Sequence, residues 1–115
     1  MNNFVYHENK TSWGIVWHII TSDGKGHVAA SIEDEEENDT IFIYGLSVIP
    51  EVRNQGIGKQ LVKLVEQIGI DRGLHRVRLN VEVEQKELCK YYENLGYEYW
   101  DEDKTYFYMI KYINK

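Results

Sequence analysis

The sequence contains one cysteine, one proline and no long run of apolar residues. Cys89 has no partner for an internal disulfide, which favours a reducing compartment. No apolar stretch approaches the roughly 18 to 20 residues that a membrane-spanning helix needs. The first ten residues also lack the charged-then-apolar pattern of a signal peptide. We therefore expect a cytoplasmic protein without a membrane partner.

The chain does contain enough apolar residues to form one core. Its 115 residues are 43% hydrophobic, which predicts a single folded domain over residues 1–115. The net charge of −6 argues against a nucleic-acid partner, because such proteins present a basic face. Residues 51–90 are the only third with a positive balance, eight Lys and Arg against six acids. This segment could hold a small anion.

Hydrophobic periodicity predicts an α/β or α+β chain with a mixed sheet. Residues 75–83 alternate apolar and polar side chains with a period of two, as in a strand. Residues 56–72 instead place apolar side chains on one helical face, and residues 85–96 predict a second helix. The other predicted strands are residues 14–21, 27–33, 40–49, 97–100 and 105–113.

A glycine-containing stretch, RNQGIG at residues 53–58, stands between a predicted strand and a predicted helix. The first turn of a helix has free N–H groups and a partial positive charge, so phosphate commonly binds there. Arg53 and Lys59 would add charge, although an ordinary tight turn explains the glycines equally well. The spacing fits neither a P-loop nor the dinucleotide fingerprint, whose third glycine would replace Leu61.

The neighbouring residues resemble the GNAT N-acetyltransferase superfamily. Arg53-x-x-Gly56-x-Gly58 is similar to its acyl-CoA pyrophosphate loop. LSVIPEVR at residues 46–53 resembles its motif Leu-x-Val-x-Pro-x-x-Arg, and YENLGY at residues 92–97 resembles Tyr-Glu-x-Leu-Gly-Phe/Tyr. The motifs occur in the family's order, and the resemblance covers about residues 15–113.

The resemblance implies a fold, a cofactor and a set of site residues. The fold is a mostly antiparallel mixed sheet, flanked by two helices, whose fourth and fifth strands splay apart. The gap admits the pantetheine arm of acetyl-CoA, the acyl donor, and no metal is implied. The implied cofactor-binding residues are Leu46, Ser47, Val48, Arg53, Asn54, Gln55, Gly56, Ile57, Gly58, Lys59 and Gln85.

Tyr92 matches the tyrosine that the family uses as general acid. A phenol with an ordinary pKa of about 10 can protonate the departing thiolate. An N–H group from a bulge at Gly45 could stabilise the oxyanion. The alternative is that Tyr92 is a core or rim aromatic in a chain with nine tyrosines.

The N-terminal third departs from the family pattern. Family members carry two helices between the first and second strands, where they wall the acceptor site. Here residues 4–7 could form a first strand, but the chain has no room for the helices. We therefore expect an open acceptor site or a homodimer that completes it. Gln85 also stands where the family often has asparagine.

The sequence does not identify the general base. Candidates are Glu33, Tyr44 and His27, and the acidic residues 34–39 form either a solvated loop or an attractant for a cationic acceptor. Cys89 is interpreted as a packing residue, with an acyl-cysteine route as a minor alternative. His7, His18 and His75 show no metal-ligand spacing with Cys89.

Three functions are compatible with these sequence features. The first is acetyl transfer from acetyl-CoA to a primary amine of a small molecule or peptide. The second is a non-catalytic acyl-CoA-binding module, which the short N-terminus favours. The third is an interaction domain without a ligand, which leaves the glycine turn unexplained.

Overall fold

The computed structural model describes residues 3–33, 39–53 and 55–114. Seven strands and two α-helices make up most of this part of the chain. The strands are β1 (Phe4–Thr11), β2 (Gly14–Thr21), β3 (Gly26–Glu33), β4 (Thr40–Val48), β5 (Arg76–Glu82), β6 (Glu98–Glu102) and β7 (Tyr106–Tyr112). The helices are α1 (Ile57–Asp71) and α2 (Glu87–Asn94), and short 3-10 turns cover Pro50–Val52 and Val83–Gln85.

All seven strands form one sheet in the order β1-β2-β3-β4-β5-β7-β6. Every pairing is antiparallel except that of β4 with β5, which is parallel. Helix α1 provides the crossover that a parallel connection requires. The predicted fold class, a mostly antiparallel mixed sheet with two helices, is therefore confirmed.

The alternation of side chains divides the sheet into two faces. Trp17 on β2, Ile43 on β4 and Leu79 on β5 point toward the main core, in which each is buried. Their strand neighbours point to the opposite face. Because a one-residue slip would turn this apolar set outward, the hydrophobic pattern fixes the strand register.

Both helices pack on the core face of the sheet. Helix α1 buries Ile57, Leu61 and Val65 at the spacing of one helical face. Helix α2 contributes Tyr92 to the same core. Each fully buried aliphatic side chain stabilises the fold by about 1.5–3 kcal/mol. Neither helix in the described ranges is long and apolar enough to cross a membrane.

The element boundaries refine the sequence predictions in two places. Strand β1 is longer than predicted and continues to Thr11, where a two-residue turn leads directly into β2. The second helix begins at Glu87 rather than residue 85, because Val83–Gln85 forms a 3-10 turn. Residues 34–38 of the acidic loop lie outside the described residues.

Candidate active site

The fourth and fifth strands diverge partway along their length. Pairing between β4 and β5 runs only from Thr40↔Arg76 to Ile43↔Leu79, although β4 continues to Val48 and β5 to Glu82. Beyond Ile43 the facing backbone groups of the two strands no longer bond to one another. Such an edge can accept an extended ligand as an added strand.

A bulge in β4 lies where the strands begin to separate. The register of β3 with β4 shifts between Ala29↔Gly45 and Ala30↔Ile43, which leaves Tyr44 as the extra residue. The bulge falls beside Gly45, as the sequence predicted. A bulge bends its strand and redirects local N–H groups, which explains how β4 turns away from β5 at this point.

A cavity of about 740 Å³ occupies the gap between the strands. Its walls come from β2, β3, β4, β5, β7, α2, the β1–β2 turn and the 3-10 turn before α2. Three residues of the predicted site line it, namely Leu46, Gln85 and Tyr92. Ser47 is exposed on the opposite face of β4, and Val48 packs against the core. A cavity of this size is typical of a small-molecule site.

Tyr92 lines this cavity and is 8% exposed. Its ring makes edge-to-face contacts with Tyr91, at 5.3 Å between centroids, and with Tyr97, at 5.9 Å. Within the described ranges its hydroxyl has no hydrogen-bond partner. Burial, and secondarily Tyr91, raises the pKa of Tyr92 to about 12. The phenol is therefore protonated at neutral pH and free to donate into the cavity.

The glycine stretch ends in the first turn of α1. Gly56 is the N-cap residue with a left-handed φ of 78°, a conformation that favours glycine, and no side chain of the described residues caps the helix. Ile57, Gly58 and Lys59 follow as the first helical residues, and their turn contains no acidic side chain. Gln55 is exposed beside them. The end of α1 therefore presents N–H groups to an anion.

Arg53 lies before this turn, and its side chain is held at the end of β4. Its Nε donates a hydrogen bond of 2.9 Å to the carbonyl of Val48 at the end of β4. The guanidinium is thus held near the end of β4, just before the chain enters α1. Asn54, another predicted cofactor-binding residue, lies outside the described residues.

Gly58 is where α1 meets α2. A Cβ atom added there would overlap the Tyr91 hydroxyl and would also contact Leu46 Cδ2 at 3.8 Å. The glycine therefore permits a close helix approach next to the cavity, in addition to leaving space for a ligand at the helix end. The sequence motif includes Gly58, but only the packing identifies Tyr91 as its neighbour.

Two of the three candidate bases line the cavity. They are Glu33, at the end of β3, and Tyr44, whose pKa is raised by burial and by Glu33. His27 instead stacks on His18, with 2.9 Å between His18 Nδ1 and His27 Nε2. Burial and His18 lower the pKa of His27. His27 is absent from the cavity wall.

Sequence reasoning missed several residues of the cavity wall. Trp13, in the β1–β2 turn, and Glu82 and Tyr106, which face each other across β5 and β7, all line it. The alternation of β5 alone could have placed Glu82 on the face opposite Val81. Trp13 and Tyr106 come close only through the sheet order, which no local pattern revealed.

A largely buried ion pair lies beside Tyr97, whose ring contacts Tyr92. The carboxylate of Glu66, on α1, accepts hydrogen bonds from Tyr97 Oη at 2.9 Å and Lys111 Nζ at 3.2 Å. Lys111 Nζ also donates to the Leu95 carbonyl at 2.8 Å. Burial and Glu66 raise the pKa of Tyr97. This cluster ties α1 to β7 and to the turn after α2.

Cys89 is not one of the residues that line the cavity. Burial, followed by Glu93, raises the pKa of the Cys89 thiol, which opposes an acyl-cysteine route. In the described ranges no group of three or more His, Cys, Asp or Glu side chains is arranged to hold a metal ion.

Curated proteins with similar sequences are acetyltransferases. The chain is 34% identical over 64 residues to mycothiol acetyltransferase of Paenarthrobacter aurescens (strain TC1), covering 56% of this chain and 20% of that protein. It is 36% identical over 56 residues to thialysine N-epsilon-acetyltransferase of Sus scrofa, covering 49% and 33% respectively. The chain thus spans a third or less of the length of these relatives.

Structural comparison and family comparison agree with the sequences. PaiA N-acetyltransferase from Thermoplasma acidophilum, solved in complex with coenzyme A, superposes with a TM-score of 0.71 at 23% identity. The superposition covers 84% of this chain and 59% of that one, and it demonstrates a shared fold. The model of the acetyltransferase (GNAT) family matches residues 5–97. With four-fifths of its length matched in this way, the chain belongs to the GNAT family.

Proposed function

We propose that this protein is an N-acetyltransferase that moves the acetyl group of acetyl-CoA directly to a primary amine of a small molecule or peptide. The observation that carries the proposal is the Tyr92 hydroxyl, which is buried, protonated and unpartnered among the described residues. It borders a cavity at the gap between β4 and β5. The acetyltransferase names of the sequence relatives support the same reaction.

The reaction balances with Tyr92 as the proton donor. The neutral amine, having lost its ammonium proton to solvent, attacks the thioester carbonyl and forms the N–C bond. An N–H group at the Tyr44 bulge stabilises the oxyanion. The C–S bond then breaks, and the sulfur takes the Tyr92 proton to become the CoA thiol. The nitrogen releases its extra proton, through water, to the phenolate.

The donor would occupy the gap and the end of α1. The backbone of Leu46, Ser47 and Val48 would bond to the pantetheine arm as a strand does. Residues 53–59 would hold the pyrophosphate, with N–H groups from the helix end and charge from Arg53 and Lys59. Gln85, on the cavity wall, would contact the arm from the α2 side.

Thermal unfolding with and without acetyl-CoA tests the donor site. A ligand that binds only the folded state stabilises it, by about 2.7 kcal/mol at 100 times its Kd, and therefore raises Tm. We expect Gly58→Glu to abolish this shift, because its carboxylate would occupy the pyrophosphate position and repel the anion. An unchanged shift would refute the pyrophosphate assignment.

The matched control separates charge from packing. Any side chain at residue 58 displaces the Tyr91 hydroxyl, so Gly58→Ala tests that displacement without adding charge. We expect Gly58→Ala to retain most of the acetyl-CoA shift. If both variants lose it equally, the loss reports the α1–α2 contact and not the anion site.

A non-catalytic acyl-CoA-binding module is the second candidate. The observation that favours it is the two-residue turn between β1 and β2, which leaves no helices to wall the acceptor side. A thiol-release assay over a broad panel of amines and peptides distinguishes the two. Bound acetyl-CoA with no thiol release across the panel would favour the module.

A further inference from the structure

The cavity has two chemically different halves. On the core face it is lined by apolar groups such as Leu46, Leu79 and Val81. On the opposite face its walls carry Ser31 and Glu33 from β3 and Asn80 and Glu82 from β5. The polar half lies across the strand gap from α2, which carries the proposed proton donor Tyr92. It is therefore the half that an acceptor would enter.

The charge in the polar half has one sign. Of the described residues that line the cavity, the charged ones are Glu33 and Glu82, and none is Lys, Arg or His. Arg78, on the same sheet face, directs its guanidinium to the Phe42 and Trp100 rings, at 5.5 and 4.6 Å, and is not part of the wall. The acceptor half therefore favours cations.

Ser31 independently points to a ligand. The residue is 2% exposed and lines the cavity, yet its hydroxyl has no hydrogen-bond partner among the described residues. Among the described residues, no side-chain N or O atom without accessible surface lacks a hydrogen-bond partner. Ser31 Oγ therefore keeps some accessible surface, and this surface faces the cavity. Ser31 and Glu33 stand two residues apart on one strand and thus share a face. Together they offer acceptors to one ammonium group.

Aromatic rings border this ammonium position. Trp13 lines the cavity and immediately precedes Gly14, the residue on β2 that pairs with Glu33. Tyr44 also lines the cavity, and burial, followed by the charge of Glu33, raises the pKa of its phenol. Ring faces beside a carboxylate are a common setting for alkylammonium groups.

The strand register separates Glu33 from the reacting atoms. Gly45, at the bulge, pairs with Ala29, and Glu33 lies four residues farther along β3. At about 3.3 Å per residue, this separation is roughly 13 Å along the sheet. A nitrogen that attacks the thioester at the bulge is therefore not the nitrogen that contacts Glu33. The carboxylate addresses a second charge.

We infer that the acceptor is an elongated aliphatic di- or polyamine, whose second ammonium group binds at Glu33 and Ser31 while its first amine is acetylated. The inference rests on the proposed function. It predicts a preference that depends on chain length, because a short diamine cannot reach from the bulge to Glu33. A monoamine of the same length leaves Ser31 and Glu33 without a ligand.

Diaminooctane and octylamine test the inference, since they share a chain length and differ in the second charge. We expect kcat/KM to be at least about tenfold higher for diaminooctane, as a charge-assisted hydrogen bond implies. Glu33→Gln should lower the value for diaminooctane about tenfold and bring the ratio of the two substrates toward one. The matched control is Glu98→Gln, which removes an exposed carboxylate outside the cavity and should preserve the ratio.

Calorimetric binding of both amines to the CoA-bound protein separates this inference from the proposed function. Equal turnover or equal binding of the two amines would overturn the inference and leave the N-acetyltransferase proposal standing. If neither amine is acetylated but diaminooctane binds more tightly and loses that advantage in Glu33→Gln, the proposed function fails and the dication site holds. An advantage that survives Glu33→Gln also overturns the inference.

Discussion

Tyr92 is the single side chain on which the proposed chemistry depends most. Replacing it by phenylalanine removes the proton donor and leaves the ring contacts with Tyr91 and Tyr97. We expect kcat in a thiol-release assay to fall about 10²- to 10⁴-fold, while the affinity for acetyl-CoA changes little. Tyr99→Phe removes an exposed hydroxyl that bonds to Glu102 and serves as the control. An unchanged kcat would exclude Tyr92 as the acid.

Burial of Tyr92 also makes stability depend on pH. Its pKa rises from about 10 in an unfolded chain to about 12 in the folded protein. Between these values the unfolded chain loses a proton that the folded chain keeps. The stabilisation is thus complete below pH 10 and declines as the pH rises toward 12.

Urea unfolding at pH 9 and pH 11 measures this effect. We expect wild-type protein to lose about 1 kcal/mol more unfolding free energy over this interval than Tyr92→Phe does. Tyr97, whose pKa is raised chiefly by burial and by Glu66, contributes nearly the same amount to both proteins. Identical losses in the two proteins would show that Tyr92 titrates as an exposed phenol.

At the scale of elements, the ion pair between α1 and β7 holds Tyr97 against Tyr92. Lys111→Met would leave the Glu66 carboxylate buried with the Tyr97 hydroxyl as its only side-chain donor among the described residues. Removing one partner of a buried pair costs more than the pair contributes, and we expect the free energy of unfolding to fall by about 2–4 kcal/mol. Denaturant titration measures it, and Lys104→Met, at an exposed turn, is the control. Equal stabilities of the two variants would contradict the prediction.

The elements themselves were largely predictable from local pattern. Periodicity placed α1 within one residue at each end, and strand β2 matched its predicted range. The second helix was predicted two residues too long at each end. The polar residues around it include no strong capping residue that would mark where the helix begins and ends. Strand β1 extends past its apolar start because β2 offers it a complete ladder of pairing groups, a tertiary cause that overrides weak local propensity.

At the scale of the whole molecule, the sheet face opposite the helices remains partly uncovered by the described residues. Trp100 on β6, whose ring stacks on Arg78 of that face, is 46% exposed, and Trp13 in the β1–β2 turn is also 46% exposed. Exposed aromatic surface of this kind is typical of association sites. We therefore keep the prediction of a homodimer that completes the acceptor side.

Static light scattering at micromolar concentration tests the dimer. We expect twice the mass of the 13.6 kDa chain. Trp100→Glu should shift the protein toward monomer, because it places a charge in the proposed contact, whereas Ile70→Glu, at an exposed position of α1, should not. A monomeric wild-type protein would exclude the dimer.

The sequence by itself determined the fold class, the family and the donor motifs. These features are local: strand and helix periods, a glycine turn before a helix and a Tyr-Glu-x-Leu-Gly run can all be recognised in short windows of the chain. The assignments of Arg53, Gly56 and Tyr92 to cofactor binding and catalysis stay predictions of this kind.

Only the tertiary structure decided the shape and charge of the cavity. Ser31, Glu33 and Glu82 come from strands on either side of the β4–β5 gap, and their convergence depends on sheet order and on where pairing stops. The same packing excluded His27 from the wall and left Tyr92 buried with a hydroxyl that has no hydrogen-bond partner in the described part of the chain. Non-local pairing sets these distances, and no local sequence pattern encodes them.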